Sequence, residues 1–129
     1  MSSSTPDTIL ARYPGEVRSL ALSARALILK VLPDVEETAD ASAPVIGFGY
    51  GTGYKGSVCT LILSKTGVKL GVAYGATLPD PDHLMAGSGK VHRFVQLRGA
   101  GDVRKAGLPR LLKTANEAAL RRLGKSEGE

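Results

Sequence analysis

Between Val45 and Lys55 the chain places Gly47, Gly49, Gly51 and Gly53 at a strict period of two. An extended chain sends successive residues to opposite faces. The four glycines therefore share one side of a strand, and Phe48, Tyr50, Thr52 and Tyr54 share the other. Glycine weakens a strand interior, so a bare side of this kind implies close approach by a packed helix, a neighbouring backbone or a ligand. A glycine-rich loop beginning near Gly51 is the competing reading.

Residues on either side of this segment read as further elements. Gly56 to Ser64 is rich in Val, Thr, Leu and Ile, and Lys65-Thr66-Gly67 is a tight-turn signal. Val68 to Ala76 follows, with Val68, Leu70, Val72 and Tyr74 on one side, so the two runs form a hairpin. Phe94 to Arg98 is the fourth predicted strand, with Phe94 and Gln96 on one side and Val95 and Leu97 on the other.

Helices flank the strands. Thr5-Pro6-Asp7 is a helix start, with a capping hydroxyl, proline at the first helical position and an acid in the first turn; Tyr13-Pro14 ends it. Over residues 15–32, Val17, Leu20, Ala24, Leu27, Ile28 and Val31 form an apolar stripe. Leu22, Ala26 and Leu29 form a second row for the first helix or for a second subunit. Asp34 to Asp40 reads as one acidic helical turn, and residues 41–44 as a connector. Pro81 or Asp82 opens a short helix through Ala86 that Gly87-Ser88-Gly89 ends. Gly99 to Lys105 is a loop with one turn, and Leu108, Leu111, Leu112, Ala115, Ala118, Ala119 and Leu123 define a last helix stopped by Gly124.

This order predicts an α+β fold: a two-layer sandwich with a mainly antiparallel sheet and the N-terminal and C-terminal helices packed on it. A chain of 129 residues fits a single domain, 1–129, with 1–4 and 125–129 flexible. No stretch reaches the roughly 18 apolar residues of a membrane span, and the N-terminus lacks a signal-peptide pattern, so a cytoplasmic protein is expected. The lone Cys59 allows no internal disulfide and reads as a small buried hydrophobe.

Charge is distributed unevenly. The net charge is +5, yet residues 1–64 carry −1 and residues 65–129 carry +6. A basic half suits an anionic ligand, an acidic partner or nucleic acid, unless it is simply a solvated surface. No nucleic-acid module is visible, and that partner ranks below the other two.

The densest cluster of candidate binding groups is Gly87-Ser88-Gly89-Lys90 running on to His92 and Arg93. It is not a nucleotide-hydrolysing P-loop. Leu84 stands where the first glycine of that motif belongs, and Val91 stands where a hydroxyl residue must follow the lysine. Backbone N–H groups at the glycines, the Ser88 hydroxyl and the Lys90, His92 and Arg93 donors still suit an anion, and Arg93 can grip a carboxylate through two parallel bonds. Ser88 beside His92 has no orienting acid or oxyanion hole in view, so no catalytic residue is assigned and a non-enzymatic role is expected. Asp34, Glu36, Glu37 and Asp40 are the weak candidates for a metal; the bland reading is a solvated acidic turn.

Taken together, Tyr74-Gly75-Ala76-Thr77-Leu78-Pro79-Asp80-Pro81-Asp82, the Gly87-Ser88-Gly89-Lys90-Val91-His92-Arg93 segment and Val95-Gln96-Leu97-Arg98 resemble the YdhG-like family of small bacterial domains. Gly49-Tyr50-Gly51 and the C-terminal helix fit the same pattern, and the likeness covers roughly residues 15–120. The resemblance implies helices packed on an antiparallel sheet. It also implies, from members described as frataxin-like iron chaperones, iron as an alternative cargo, without assigning a ligand residue here. Lys90 and Arg93 match the motif; Phe94 stands where the family often has histidine. The leading expectation is a binding domain, monomeric or homodimeric. It takes a small anionic ligand or acidic protein partner at Gly87, Ser88, Gly89, Lys90, His92 and Arg93, near Tyr50 and Tyr74, and requires no cofactor. The alternative is an iron-binding chaperone using surface carboxylates.

Overall fold

The structure, a computed structural model, describes residues 5–13, 15–40, 45–51 and 55–124. Expectations for Pro14 and for residues 1–4, 41–44, 52–54 and 125–129 lie outside these. The described chain runs α1 (Pro6–Leu10), α2 (Gly15–Val31), β1 (Glu36–Asp40), β2 (Val45–Gly49), β3 (Ser57–Leu63), β4 (Val68–Val72), β5 (Arg93–Leu97), α3 (Ala100–Val103) and α4 (Gly107–Arg122).

All five strands form one antiparallel sheet whose spatial order, β1-β2-β3-β4-β5, is also the chain order. Helices pack on a single face: α2 on β3 and β4, α4 on β3, α3 on β5 and α1 on β1. The fold is thus an α+β two-layer sandwich. Its core is aliphatic apart from Phe48 and Cys59, with Ile46, Leu61, Val68, Leu70 and Leu97 packed in one cluster with Ile28, Leu108, Leu112 and Ala119.

Several elements form for the reasons the residues suggest. Thr5 caps α1, accepting from the Thr8 N–H at 3.2 Å. The β3–β4 turn closes through Ser64, whose N–H donates to the Gly67 carbonyl at 3.0 Å and whose Oγ accepts from Gly67 N–H at 3.1 Å. Gly124 has φ +77°, the left-handed conformation that stops α4.

Four expectations are corrected. Residues 36–40 form an edge strand, not a helical turn, because β2 supplies a complete antiparallel partner from Glu36↔Gly49 to Asp40↔Val45. Residues 81–86 form no helix; the Asp80 carboxylate instead accepts from the Leu84 and Met85 N–H groups, both at 2.9 Å, and His83 turns the chain at φ +54°. The strand expected over Phe94–Arg98 is Arg93–Leu97 and is the fifth in the sheet. Leu22 and Ala26 are exposed rather than covered by α1.

Candidate functional site

Among the described residues, no helix packs on the second face of the sheet. One cross-strand row on this face reads Thr38, Gly47, Thr60, Gly71, Phe94, each paired with the next through four registers. Threonine and glycine alternate because each threonine leans over its glycine neighbours. A Cβ at Gly71 would lie 2.6 Å from Thr60 Oγ1, and one at Gly47 would lie 2.9 Å from Thr38 Oγ1. Of the period-two glycines, Gly47 is thus explained by Thr38, whereas at Gly49 a Cβ would lie 2.5 Å from the Gly56 carbonyl oxygen and Gly51 takes φ +71°; Gly53 lies outside the described residues.

The row ends in a depression of about 330 Å³ sunk into the sheet. Gly71, Ala73, Ser57 and Thr60 leave it shallow and small-sided, Ile62 and Phe94 supply apolar walls, and His92 and Arg93 line one end. Ile62 is 38% exposed, unusual for an isoleucine in mid-strand. Lys69 holds its ammonium 4.7 Å from the centre of the Phe94 ring, a cation–π contact on the same face.

His92 is held by its surroundings. Its Nδ1 accepts from the Tyr74 N–H at 3.0 Å, and the two rings meet edge to face at 5.4 Å. Tyr74 itself sits at φ +56°, a strained conformation for an aromatic residue. Arg122 on α4 stacks its guanidinium 4.0 Å from the Tyr74 ring centre and donates to the Lys55 and Ser57 carbonyls at 2.9 and 2.7 Å. Burial lowers the Arg122 pKa, partly offset by Tyr74. Arg93 donates from Nε to the Gly89 carbonyl at 2.7 Å, a bond that uses one guanidinium nitrogen and leaves the two terminal ones for another acceptor.

The structure divides the sequence-derived site residues. His92 and Arg93 line the depression, whereas Gly87, Ser88, Gly89 and Lys90 form an exposed loop beside it. Both glycines have internal reasons. Gly87 takes φ +101° against the Phe94 ring, where a Cβ would lie 2.9 Å from Cε2. At Gly89 a Cβ would lie 2.5 Å from the His92 carbonyl oxygen. Tyr50 is half-buried on the helix side, donating from its hydroxyl to Asn116 Oδ1 at 2.6 Å; burial pushes its phenol up, and the bond to Asn116 opposes this. Tyr50 and Tyr74 thus both meet α4, and neither lines the depression.

The acidic candidates are likewise split. The strand pleat sends Glu37 to the helix side, where Arg25 Nη2 donates to its Oε1 at 2.9 Å. Glu36 faces the other way, its Oε1 accepting from Gly51 N–H at 3.3 Å, and Asp34 precedes the strand. Among the described residues no three His, Cys, Asp or Glu side chains converge on a metal-sized site. No described helix is long and apolar enough to cross a membrane.

Sequence reasoning missed Ser57, Thr60, Ile62, Lys69, Gly71 and Ala73. They come from separate strands, and only the cross-strand register brings them together. Phe94, read as a strand residue and as a departure from a motif, forms a wall of the depression. Comparison with protein-family models, curated proteins and solved structures finds no match to this chain.

Proposed function

We propose that this chain is a non-enzymatic binding domain whose binding surface is the helix-free face of the sheet, and that it takes an anionic group at the Arg93 end. The depression between Ile62 and Phe94 carries this reading, because it sets apolar walls beside His92 and Arg93 within one small concavity. A volume of about 330 Å³ suits a small ligand with an apolar body and a charged end. Arg93 supplies paired donors for a carboxylate or phosphate, and Lys69 adds positive potential nearby. The likeness of residues 74–98 to the YdhG-like domains belongs to the same proposal. In this chain those residues form the connection between β4 and β5 and then β5 itself, which frame the depression.

Titration of isotopically labelled protein with hexanoate, followed by amide chemical shifts, tests the reading. Shifts centred on Thr60, Gly71, Ala73, Arg93 and Phe94 are expected, with hexanol giving weaker ones. The Lys90→Ala, Arg93→Ala double variant is expected to keep its fold and lose the hexanoate response, since both residues lie toward the surface. Shifts scattered over the surface, or a double variant that unfolds, would remove the reading.

A further inference from the structure

We infer that the chain carries a second ligand site, a cleft at one end of the sandwich that takes a sugar phosphate. The last register of the β4–β5 pair is Val68↔Leu97, so the turn at residues 64–67 and the exit of β5 through Arg98 and Gly99 leave the sheet side by side. The first half of α2 crosses this end of the sheet. The gap between them is a cleft of about 640 Å³, larger than the depression of about 330 Å³ on the other face, and the two share no lining residue.

Val17, Leu20 and Leu97, which belong to the core or pack on it, give the cleft an apolar floor. One wall is the α2 face that carries Glu16, Ser19 and Ser23, spaced three and four residues apart. A helical serine can satisfy its hydroxyl on the carbonyl four residues back. Among the described residues neither of these hydroxyls has a hydrogen-bond partner, and Glu16 has no ion pair. The opposite wall carries Lys65 and Arg98. Lys65 meets no described acid within ion-pair range, and Arg98 bonds Asp102 through its backbone N–H alone.

Gly67 and Gly99 line the same cleft, and the fold demands neither. Gly99 is extended at φ −176°, where a Cβ would meet nothing within 4 Å. At Gly67 the nearest atom to a Cβ would be Gln96 Nε2 at 3.7 Å, an ordinary contact. What the two glycines share is the cleft.

Two cations face a carboxylate and two hydroxyls across an apolar floor. That arrangement suits a ligand anionic at one end and rich in hydroxyls at the other. Lys65 and Arg98 match a phosphate, Glu16, Ser19 and Ser23 offer acceptors and donors to hydroxyls, and the floor takes the C–H face of a sugar ring. No aromatic side chain lines the cleft to stack a base, which favours a sugar phosphate over a nucleotide. The volume lies in the usual range for small-molecule sites.

Amide chemical shifts of labelled protein test the site with three probes: glucose-6-phosphate, ribose-5-phosphate and glycerol-3-phosphate. At least one is expected to shift Ser19, Ser23, Lys65, Thr66, Gly67 and Gly99 with a Kd below about 1 mM, and inorganic phosphate and glucose to bind at least about tenfold more weakly. The Lys65→Ala, Arg98→Ala double variant is expected to weaken binding at least about tenfold. Ser19→Leu with Ser23→Leu keeps every charge, fills the helix wall and is expected to abolish the shifts. Lys113→Ala, which removes an exposed cation outside the cleft, is expected to change nothing. Circular dichroism establishes that each variant is folded, and the leucine variant reads the site even where the charge variant does not fold. Cleft amides that stay still with all three probes up to about 10 mM, inorganic phosphate that binds as tightly as the best probe, or a folded leucine variant that binds like wild type overturns the inference. The hexanoate shifts expected at the depression fall on other residues, so either site can fail while the other stands.

Discussion

Arg122 holds its guanidinium 4.0 Å from the centre of the Tyr74 ring while bonding the carbonyls of Lys55 and Ser57. One side chain at the end of α4 thereby ties together the start of β3 and the turn after β4. It also backs the ring that Tyr74 presses against His92. Arg122→Ala is expected to cost about 2 kcal/mol, from two charge-assisted bonds and the ring contact, with Arg122→Lys costing less. Urea unfolding monitored by circular dichroism measures both, and equal midpoints for wild type and Arg122→Ala would show that the cluster carries no stability.

The Thr60–Gly71 pair predicts non-additive behaviour. Gly71→Ala forces a methyl group against Thr60 Oγ1 and Ile62 Cδ1, which lie 2.6 and 3.4 Å from the Cβ position. The single substitution is expected to cost about 1–2 kcal/mol. Adding Thr60→Ala removes the closer obstacle and is expected to recover about half of that loss. Strictly additive effects in a double-mutant cycle would mean that the threonine simply rotates away.

Asp102 makes stability depend on acid. Its Oδ2 accepts from the Arg98 N–H at 2.8 Å, and its Oδ1 lies 3.3 Å from Lys105 Nζ. The backbone bond, then Lys105 and Arg98, hold its carboxyl below the ordinary range against an opposing effect of burial. A carboxyl depressed in the folded state stabilises fully above its unfolded pKa, and that contribution fades as pH falls through the lower folded value. Asp102→Asn is therefore expected to be less stable than wild type at neutral pH, with the gap closing in strong acid. Thermal midpoints across pH read this directly, and a gap that widens on acidification contradicts the assignment.

Burial in mid-strand pushes the Cys59 thiol up to about 12. The thiolate is the reactive form, so native protein is expected to resist a disulfide reagent at pH 8 while urea-unfolded protein reacts within the mixing time. Rapid native labelling would mean that β3 opens locally.

Residues with a strong period announced themselves. The stripes of α2 and α4 and the β3–β4 hairpin are readable because burial repeats every three to four residues or every two. β1 is not, because its helix-side Glu37 is satisfied by Arg25 rather than by apolar packing, which erases the alternation. The segment after Pro81 carries a good helix start, yet the Asp80 carboxylate takes the Leu84 and Met85 N–H groups and holds a different path. For the site, His92 and Arg93 were legible as charges beside glycines. Thr60, Ile62 and Gly71 were not, since their proximity to Phe94 depends on strand register. The period-two glycines were visible from the start, but their neighbours were not: the threonine that overlies Gly47 comes from β1, and the backbone that closes on Gly49 is that of Gly56.

Strand order that follows chain order also bears on how the protein is made. Each new strand can pair with the one just synthesised, so the sheet grows by successive short loop closures, the kind of local contact that favours rapid folding. The helix layer is different. Leu108, Leu111, Leu112, Ala115 and Ala119, which cover β3, are synthesised only after all five strands. Until then a nascent sheet would have part of its apolar face uncovered, and the ribosome-bound chain is the stage at which a chaperone has the most to hold.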